Sequence, residues 1–309
     1  MKKPELLVTP TRVEDIEPLI HAGADAFVVG EQKYGLRLAG EFSPSEVKQA
    51  IQIAHSHGKK VYVAMNAIFH NEKIEELSNY LVFLKEAEAD AIIFGDPAVL
   101  MAAREAAPNL PLHWNTETTA TNWFTCNYWG DKGAKRAVLA REINMDAVIE
   151  IKEKAKVEIE VQVHGMTAMF QSKRKLVGNY FAYQGRDMKV EQLEDGRSLF
   201  LHDPERGSKY PIFEDENGTH IMSPNDICII DELTEMIEAG VDSFKIDGIL
   251  KDIDYIVEVT KLYRQAIDLC VENEDQYDDV KDELLEKAEA LQPSNRPLDT
   301  GFFFKETVY

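Results

Sequence analysis

Four times along this chain a helix-like segment ends in a small residue or glycine, and a charged residue then leads into a short apolar run. The copies are AGADAFVVG (22–30), AEADAIIFGD (87–96), KGAKRAVLARE (132–142) and AGVDSFKIDG (239–248). This phrase fits a helix C-terminus handing over to a buried parallel strand. The small residue accepts the cramped cap, and the unbroken apolar run suits a strand covered on both faces. Intervening segments such as 44–57 and 74–86 repeat their apolar residues with the 3.6-residue period of a surface helix. Apolar runs of this kind place eight strands near residues 5–8, 25–30, 60–66, 90–95, 112–117, 136–140, 158–164 and 243–248. Eight strands alternating with helices predict an α/β fold, a closed (β/α)8 TIM-like barrel. An open doubly wound sheet is the alternative, and the absence of a GxGxxG phosphate turn after the first strand weighs against it.

The gap between the last two strands is too long for a single crossover. Within it, YPIFEDENGTHIMS reads as a hairpin turning at Asn217-Gly218, a pair suited to a type I′ turn. A small β-rich insertion is therefore expected at about 181–222, over the mouth of a barrel domain spanning 1–270. Residues 271–309 are expected to form an acidic segment and a tail. Val271 to Gln292 carries nine acids against two lysines and reads as a solvated helix or linker. The three phenylalanines at 302–304 must be buried or meet a partner.

Charge narrows the function. The formal net charge is −21, whereas a nucleic-acid binder draws affinity from Lys and Arg neutralising phosphates. Such a chain repels a polyanion unless its basic residues are segregated or a partner supplies the positive surface. Its three cysteines, Cys126, Cys228 and Cys270, form no CxxC pair, which argues against a disulfide framework or a self-contained zinc site. No apolar run is long enough to span a membrane and no signal-peptide pattern opens the chain, so a cytoplasmic protein is expected. The histidines show no HExxH spacing, no GxSxG elbow is present, and no metal is expected.

In a barrel, function gathers at the C-terminal ends of the strands. Those ends carry Thr9, Gly30, Asn66, Gly95-Asp96, Asn115 to Glu117, Arg141-Glu142, His164-Gly165 and Lys245 to Asp247. Singly, each reads as a cap or loop residue; as a ring they describe a polar pocket above an apolar core. His164 serves either as a general base or as a loop-orienting group. Arg141 beside Glu142 suits a carboxylate clamp or an internal ion pair. Lys245 and Asp247 alternate with Phe244 and Ile246, so they share one face of the last strand. Inside the barrel they make an anion site or an acid/base couple; outside it they are solubilising charges. Arg37 reaches the mouth from the loop after strand two. The run Lys173-Arg174-Lys175 is either a solvated loop or an anion contact.

The stretch IEVQVHGMTAMFQSKRKLVGNY (159–180) resembles the signature segment of the collagenase-like U-32 peptidase family. The resemblance extends over nearly the whole chain. It includes PELLVTP, GADAFVVG and YGLRLAGEFS, then KVYVAMN with His70-Asn71-Glu72, then DAIIFGDPAVL and VLARE. It closes with SPNDICIIDEL, GVDSFKIDG, Arg296 and Thr300-Gly301-Phe302. It implies two activities: collagenase-like proteolysis, or oxygen-independent hydroxylation such as prephenate-dependent 5-hydroxylation of the tRNA wobble uridine. Hydroxylases of this family use four cysteines to hold an iron–sulfur cluster. Here Ala168 and Lys175 stand at the first two positions, no cysteine lies between 127 and 227, and only Cys228 matches the fourth. Ile249 replaces the arginine of the family's FKIEGR. The resemblance thus implies a cluster-less component of tRNA hydroxylation that works beside a cysteine-bearing homologue, reaches tRNA through it, and binds a small carboxylic acid such as prephenate. Arg37, Asn66, Glu117, Arg141 and Lys175 would bind the ligand. His164, Glu142, Lys245 and Asp247 would carry acid/base chemistry, also under the alternative peptidase reading.

Overall fold

The computed structural model describes residues 1–116, 119–185 and 199–306. Seven parallel strands come first: β1 (Glu5–Val8), β2 (Ala26–Val29), β3 (Lys60–Met65), β4 (Ala91–Phe94), β5 (Leu112–Trp114), β6 (Ala134–Val138) and β7 (Glu158–Gly165). An antiparallel sheet of β8 (Ala168–Ser172), β9 (Leu199–Asp203), β10 (Ser208–Asp215) and β11 (Gly218–Met222) follows, in the order β8-β11-β10-β9. Its first strand lies ahead of the 181–222 segment expected from the sequence. Then β12 (Asp226–Cys228) runs antiparallel beside β7, and β13 (Ser243–Ile246) pairs in parallel with both β7 and β1. That double pairing closes the eight-stranded barrel. A short β14 (Leu298–Asp299) adds to β12.

The helices α1 (Ile16–His21), α2 (Pro44–Ser56), α3 (Asn71–Glu86), α4 (Pro97–Ala106), α5 (Trp123–Asp131) and α6 (Met145–Lys154) connect the first seven strands. Their starts are written locally. Ser43 caps α2 in a reciprocal box with Glu46 ahead of Pro44, and Asp96, Asn122 and Asn144 cap α4, α5 and α6 with their side chains. Within the insertion lies α7 (Leu176–Tyr183); α8 (Thr234–Glu238) precedes β13, and α9 (Ile253–Glu272) and α10 (Glu274–Leu291) follow it.

Strand residues divide by parity. Leu6, Phe27, Val63, Phe94 and Phe244 belong to the large core between barrel and helices, whereas Leu7, Ala26, Val28, Tyr62, Ala64, Ala91 and Ile93 fill the barrel interior. The acid-rich segment is a helix, but α10 is not wholly solvated: Tyr277, Leu284 and Ala288 are buried, and the Tyr277 hydroxyl donates to the Ile230 carbonyl at 2.8 Å. Of the three phenylalanines only Phe303 is buried; Phe302 and Phe304 are exposed. Among the described residues no helix is long and apolar enough to cross a membrane.

Candidate functional site at the barrel mouth

The parity that sends Phe244 and Ile246 outward sends Lys245 and Asp247 inward. At the mouth their side chains meet, with Lys245 Nζ donating to Asp247 Oδ2 at 3.0 Å. Arg141 donates from Nε to Gln162 Oε1 on β7 at 2.6 Å. Arg37, in the left-handed region at φ 50°, donates to Gln171 Oε1 on β8 at 3.0 Å. Such a backbone in a non-glycine residue is strained and persists where the surroundings hold it. Asn66 accepts the Leu36 amide at 2.9 Å, which fixes the loop that carries Arg37. Thr9 accepts the Gly248 amide at 2.6 Å and so ties β1 to the turn after β13. Thr9, Arg37, Asn66, Asn115, Arg141, Glu160, Lys245 and Asp247 line one pocket. Side chains fill most of it, leaving a cavity of about 30 Å³. A wider cleft of about 430 Å³ adjoins it, sharing Arg37, Asn66 and Asn115 and walled by Ile68, Met169 and Phe170.

Among the described residues, three cations and two acids line this pocket. Burial pushes Asp247 up, but Lys245 and Arg141 overrule it and hold the carboxyl below its ordinary range, so it is ionised at neutral pH. At Glu160 burial wins over Arg136 and Lys245 and raises the carboxyl, making it the most readily protonated group on the pocket floor. Beneath it the barrel interior is a salt-bridged plug: Arg136 Nη1 lies 2.6 Å from Glu5 and 3.4 Å from Glu160, and the Tyr62 hydroxyl donates to Glu5 at 2.7 Å. The mouth therefore presents cationic donors from several strands, an arrangement suited to a small anion.

Five of the expected site residues meet at this mouth: Arg37, Asn66, Arg141, Lys245 and Asp247. Glu142 is exposed and lies outside the pocket lining. Lys175 caps α7 and borders a separate cleft with Glu214 and Asp215. Glu117 lies outside the described residues. His164 ends β7 but does not face the pocket. Pairing with β13 steps from Lys245–Gln162 to Ile246–His164, skipping Val163. This bulge reverses the alternation, and His164 shares the outward face of Ile246. Its ring is fully buried, Nε2 and the Tyr255 hydroxyl share a 2.7 Å hydrogen bond, and burial lowers its pKa to about 4. The His-Gly pair is structural at Gly165 too: at φ 105° a Cβ there would lie 2.3 Å from the Asp247 carbonyl oxygen. Glu160 is the site residue that strand-end reasoning passes over, although the alternation Glu158, Glu160, Gln162 in EIEVQVHG marks it as interior.

A second buried cluster stands behind His164. Asp226, fully buried, pairs with Lys251 and Arg296 and accepts from Gln292. Burial opposes its charge, but Arg296 and Lys251 outweigh that and hold its pKa near 2.

The donor set for a cysteine-held cluster does not fit this chain. Cys126 sits on α5, Cys228 on β12 and Cys270 on α9, each buried. The Tyr263 hydroxyl lies 3.6 Å from the Cys228 sulfur, and burial pushes that thiol up to about 11. A protonated core thiol is not a ready metal ligand. Among the described residues no group of three or more His, Cys, Asp or Glu is placed to hold a metal ion.

Comparison with known proteins decides the family. The family model described as peptidase family U32 matches residues 11–308. The chain belongs to peptidase family U32. The tRNA hydroxylation protein P2 of Bacillus subtilis is 69% identical over 309 residues, covering 100% of both chains. The tRNA hydroxylation protein P1 of the same organism is 33% identical, covering 98% of this chain and 71% of that one. The tRNA hydroxylation protein P of Escherichia coli is 30% identical, covering 87% and 68%. Among solved structures, the U32 peptidase Mk0906 superposes with a TM-score of 0.50 at 14% identity, covering 80% of this chain and 94% of that one. A dihydrodipicolinate synthase from Bacillus anthracis gives 0.53 at 10%, covering 95% and 85%. At these identities the two structures speak for the barrel fold alone.

Proposed function

We propose that this U32 chain is a component of tRNA hydroxylation that holds no iron–sulfur cluster and acts beside a cysteine-bearing homologue. The observation that carries this reading is the 69% identity over full length to tRNA hydroxylation protein P2, combined with a cysteine set that cannot ligate a cluster. The presence of both a P1 and a P2 protein in Bacillus subtilis favours a paired arrangement. The reaction served is 5-hydroxylation of the wobble uridine, and a small carboxylic acid such as prephenate would occupy the 430 Å³ cleft against the barrel mouth. Arg37, Arg141 and Lys245 would meet its carboxylates, Asn66 and Thr9 hold the loops that aim them, and Asp247 orients the lysine. Glu160, whose carboxyl burial raises, is the candidate proton donor to a bound oxygen. The peptidase reading finds less support, since His164 is turned away from the mouth and tied to Tyr255.

The test is genetic and chemical. Strains lacking this chain, the cysteine-bearing homologue, or both are compared by mass spectrometry of tRNA nucleosides. Loss of wobble-uridine hydroxylation in the double deletion, restored when both genes are returned and not by this chain alone, is expected. Unchanged tRNA in the double deletion overturns the reading.

A further inference from the structure

The helix α7, LVGNYFAY, is strongly apolar, yet none of its residues is buried. Leu176, Tyr180 and Tyr183 stand at i, i+4 and i+7, so they form one stripe, 41%, 56% and 90% exposed respectively. An amphipathic helix ordinarily turns such a stripe to the core. Immediately before it come Lys173 and Arg174, both exposed, and neither forms an ion pair among the described residues. From Val161 to Arg186 the sequence contains no Asp or Glu, in a chain with 55 of them. The overall charge of −21 is thus not spread evenly, and this segment is a local exception.

The strip is held rigidly. Thr219 Oγ1 donates to the Arg174 carbonyl at 2.8 Å and accepts the Leu176 amide at 2.9 Å. The Glu214 carboxylate accepts the Val177 and Gly178 amides at 2.7 and 3.1 Å, satisfying the first turn of α7 from below. That acid is buried, so it anchors the helix without facing the solvent side of the strip. Strand β8 connects the strip to the active mouth: Ala168, Met169 and Phe170 line the 430 Å³ cleft, and Ser172 precedes Lys173.

We propose that Lys173, Arg174, Tyr180 and Tyr183 form a docking strip for single-stranded RNA, which under the tRNA reading above is the anticodon loop. Cations contact phosphates and exposed aromatic faces stack with unpaired bases, the pairing of features that single-stranded nucleic acids require. A protein partner would also accept the tyrosines, but the two unpaired cations leading into them complement a polyanion. One base displaced from the loop could then follow β8 into the cleft walled by Ile68, Met169 and Phe170. The chain is thereby given a direct share in RNA contact, beyond what a homologue supplies.

The test measures fluorescence anisotropy of a labelled anticodon stem-loop carrying uridine at the wobble position. It is titrated with this protein alone and with its complex with the cysteine-bearing homologue. Tyr180→Ala and Tyr183→Ala are expected to weaken binding on the order of tenfold each. Lys173→Ala and Arg174→Ala should each flatten the salt dependence by roughly 0.7 in the log–log slope. All four positions are exposed, and unchanged melting temperatures check that the fold is intact. Equal RNA affinity for wild type and all variants, or variants that lose the homologue while RNA affinity holds, overturns the strip. If tRNA hydroxylation still requires this chain in that case, the proposed function stands and only this surface falls.

Discussion

At the scale of single residues, the Lys245–Asp247 pair separates stability from function. Both side chains are nearly buried at the mouth, so Lys245→Met would strip a buried carboxylate of its hydrogen-bonded cation, at a cost of about 3 kcal/mol in urea unfolding. The double variant K245M/D247L removes both charges and should recover most of that stability. It should still fail to restore tRNA hydroxylation in a deleted strain; restored hydroxylation would remove the pair from the site. His164 gives a pH prediction. Its folded pKa, about 4, lies below the ordinary value of 6.5, so the unfolded chain takes up a proton first as pH falls. Its contribution is complete above pH 6.5 and is lost between pH 6.5 and 4, amounting to about 3 kcal/mol. Burial lowers His113 as well, so His164→Gln should flatten the acid-side loss without abolishing it. Chemical denaturation across pH 4–7 reads the difference. The orientation of this histidine was illegible in the sequence because alternation counts residues, and the bulge at Val163 is a backbone event that no residue type announces. Lys245 and Asp247 were legible because they alternate with the outward Phe244 and Ile246, and Arg141 because it follows the apolar run that ends β6.

At the scale of elements, the barrel strands were legible and the insertion much less so. The strands β1 (after Glu5), β2 and β4 are apolar runs, and their partner strands demand that pattern on both faces. The strand β8, AMFQS, is half exposed and carries no such pattern; it is held by pairing with β11, a contact remote in sequence. The acid content of α10 similarly hid the buried stripe of Tyr277, Leu284 and Ala288. The tail is fastened by the Asp226 cluster, which joins β12 to Lys251 after β13 and to Gln292 and Arg296 beyond α10. Removing its only acid leaves two buried cations facing each other. Asp226→Ala is therefore expected to destabilise the fold by about 3–5 kcal/mol. It should also open residues 292–306 to limited proteolysis at temperatures where the wild type resists. A tail equally protected in the variant would show that Asp226 does not fasten it.

At the scale of the whole molecule, family and chemistry come apart. Peptidase family U32 spans residues 11–308, and the barrel mouth keeps a polar ring, yet the cysteines are distributed over α5, β12 and α9. By the family resemblance in the sequence, Cys228 is the one cysteine matched to a cluster position. If it reached across an interface to complete a homologue's cluster, it would have to become a thiolate and leave its contact with Tyr263. Burial opposes the first, holding the thiol near 11, and the fully buried Tyr263, whose hydroxyl also donates to the Val163 carbonyl at 2.8 Å, opposes the second. Cys228 is thus read as a core residue retained for packing. The expected outcome is that Cys228→Ser leaves the iron content and visible absorbance of the co-purified assembly unchanged, measured per mole of homologue. Substituting one of the homologue's own cysteines should bleach it. A Cys228→Ser assembly that assembles normally but loses iron would mean that the two chains share one cluster, and that this barrel contributes a ligand after all.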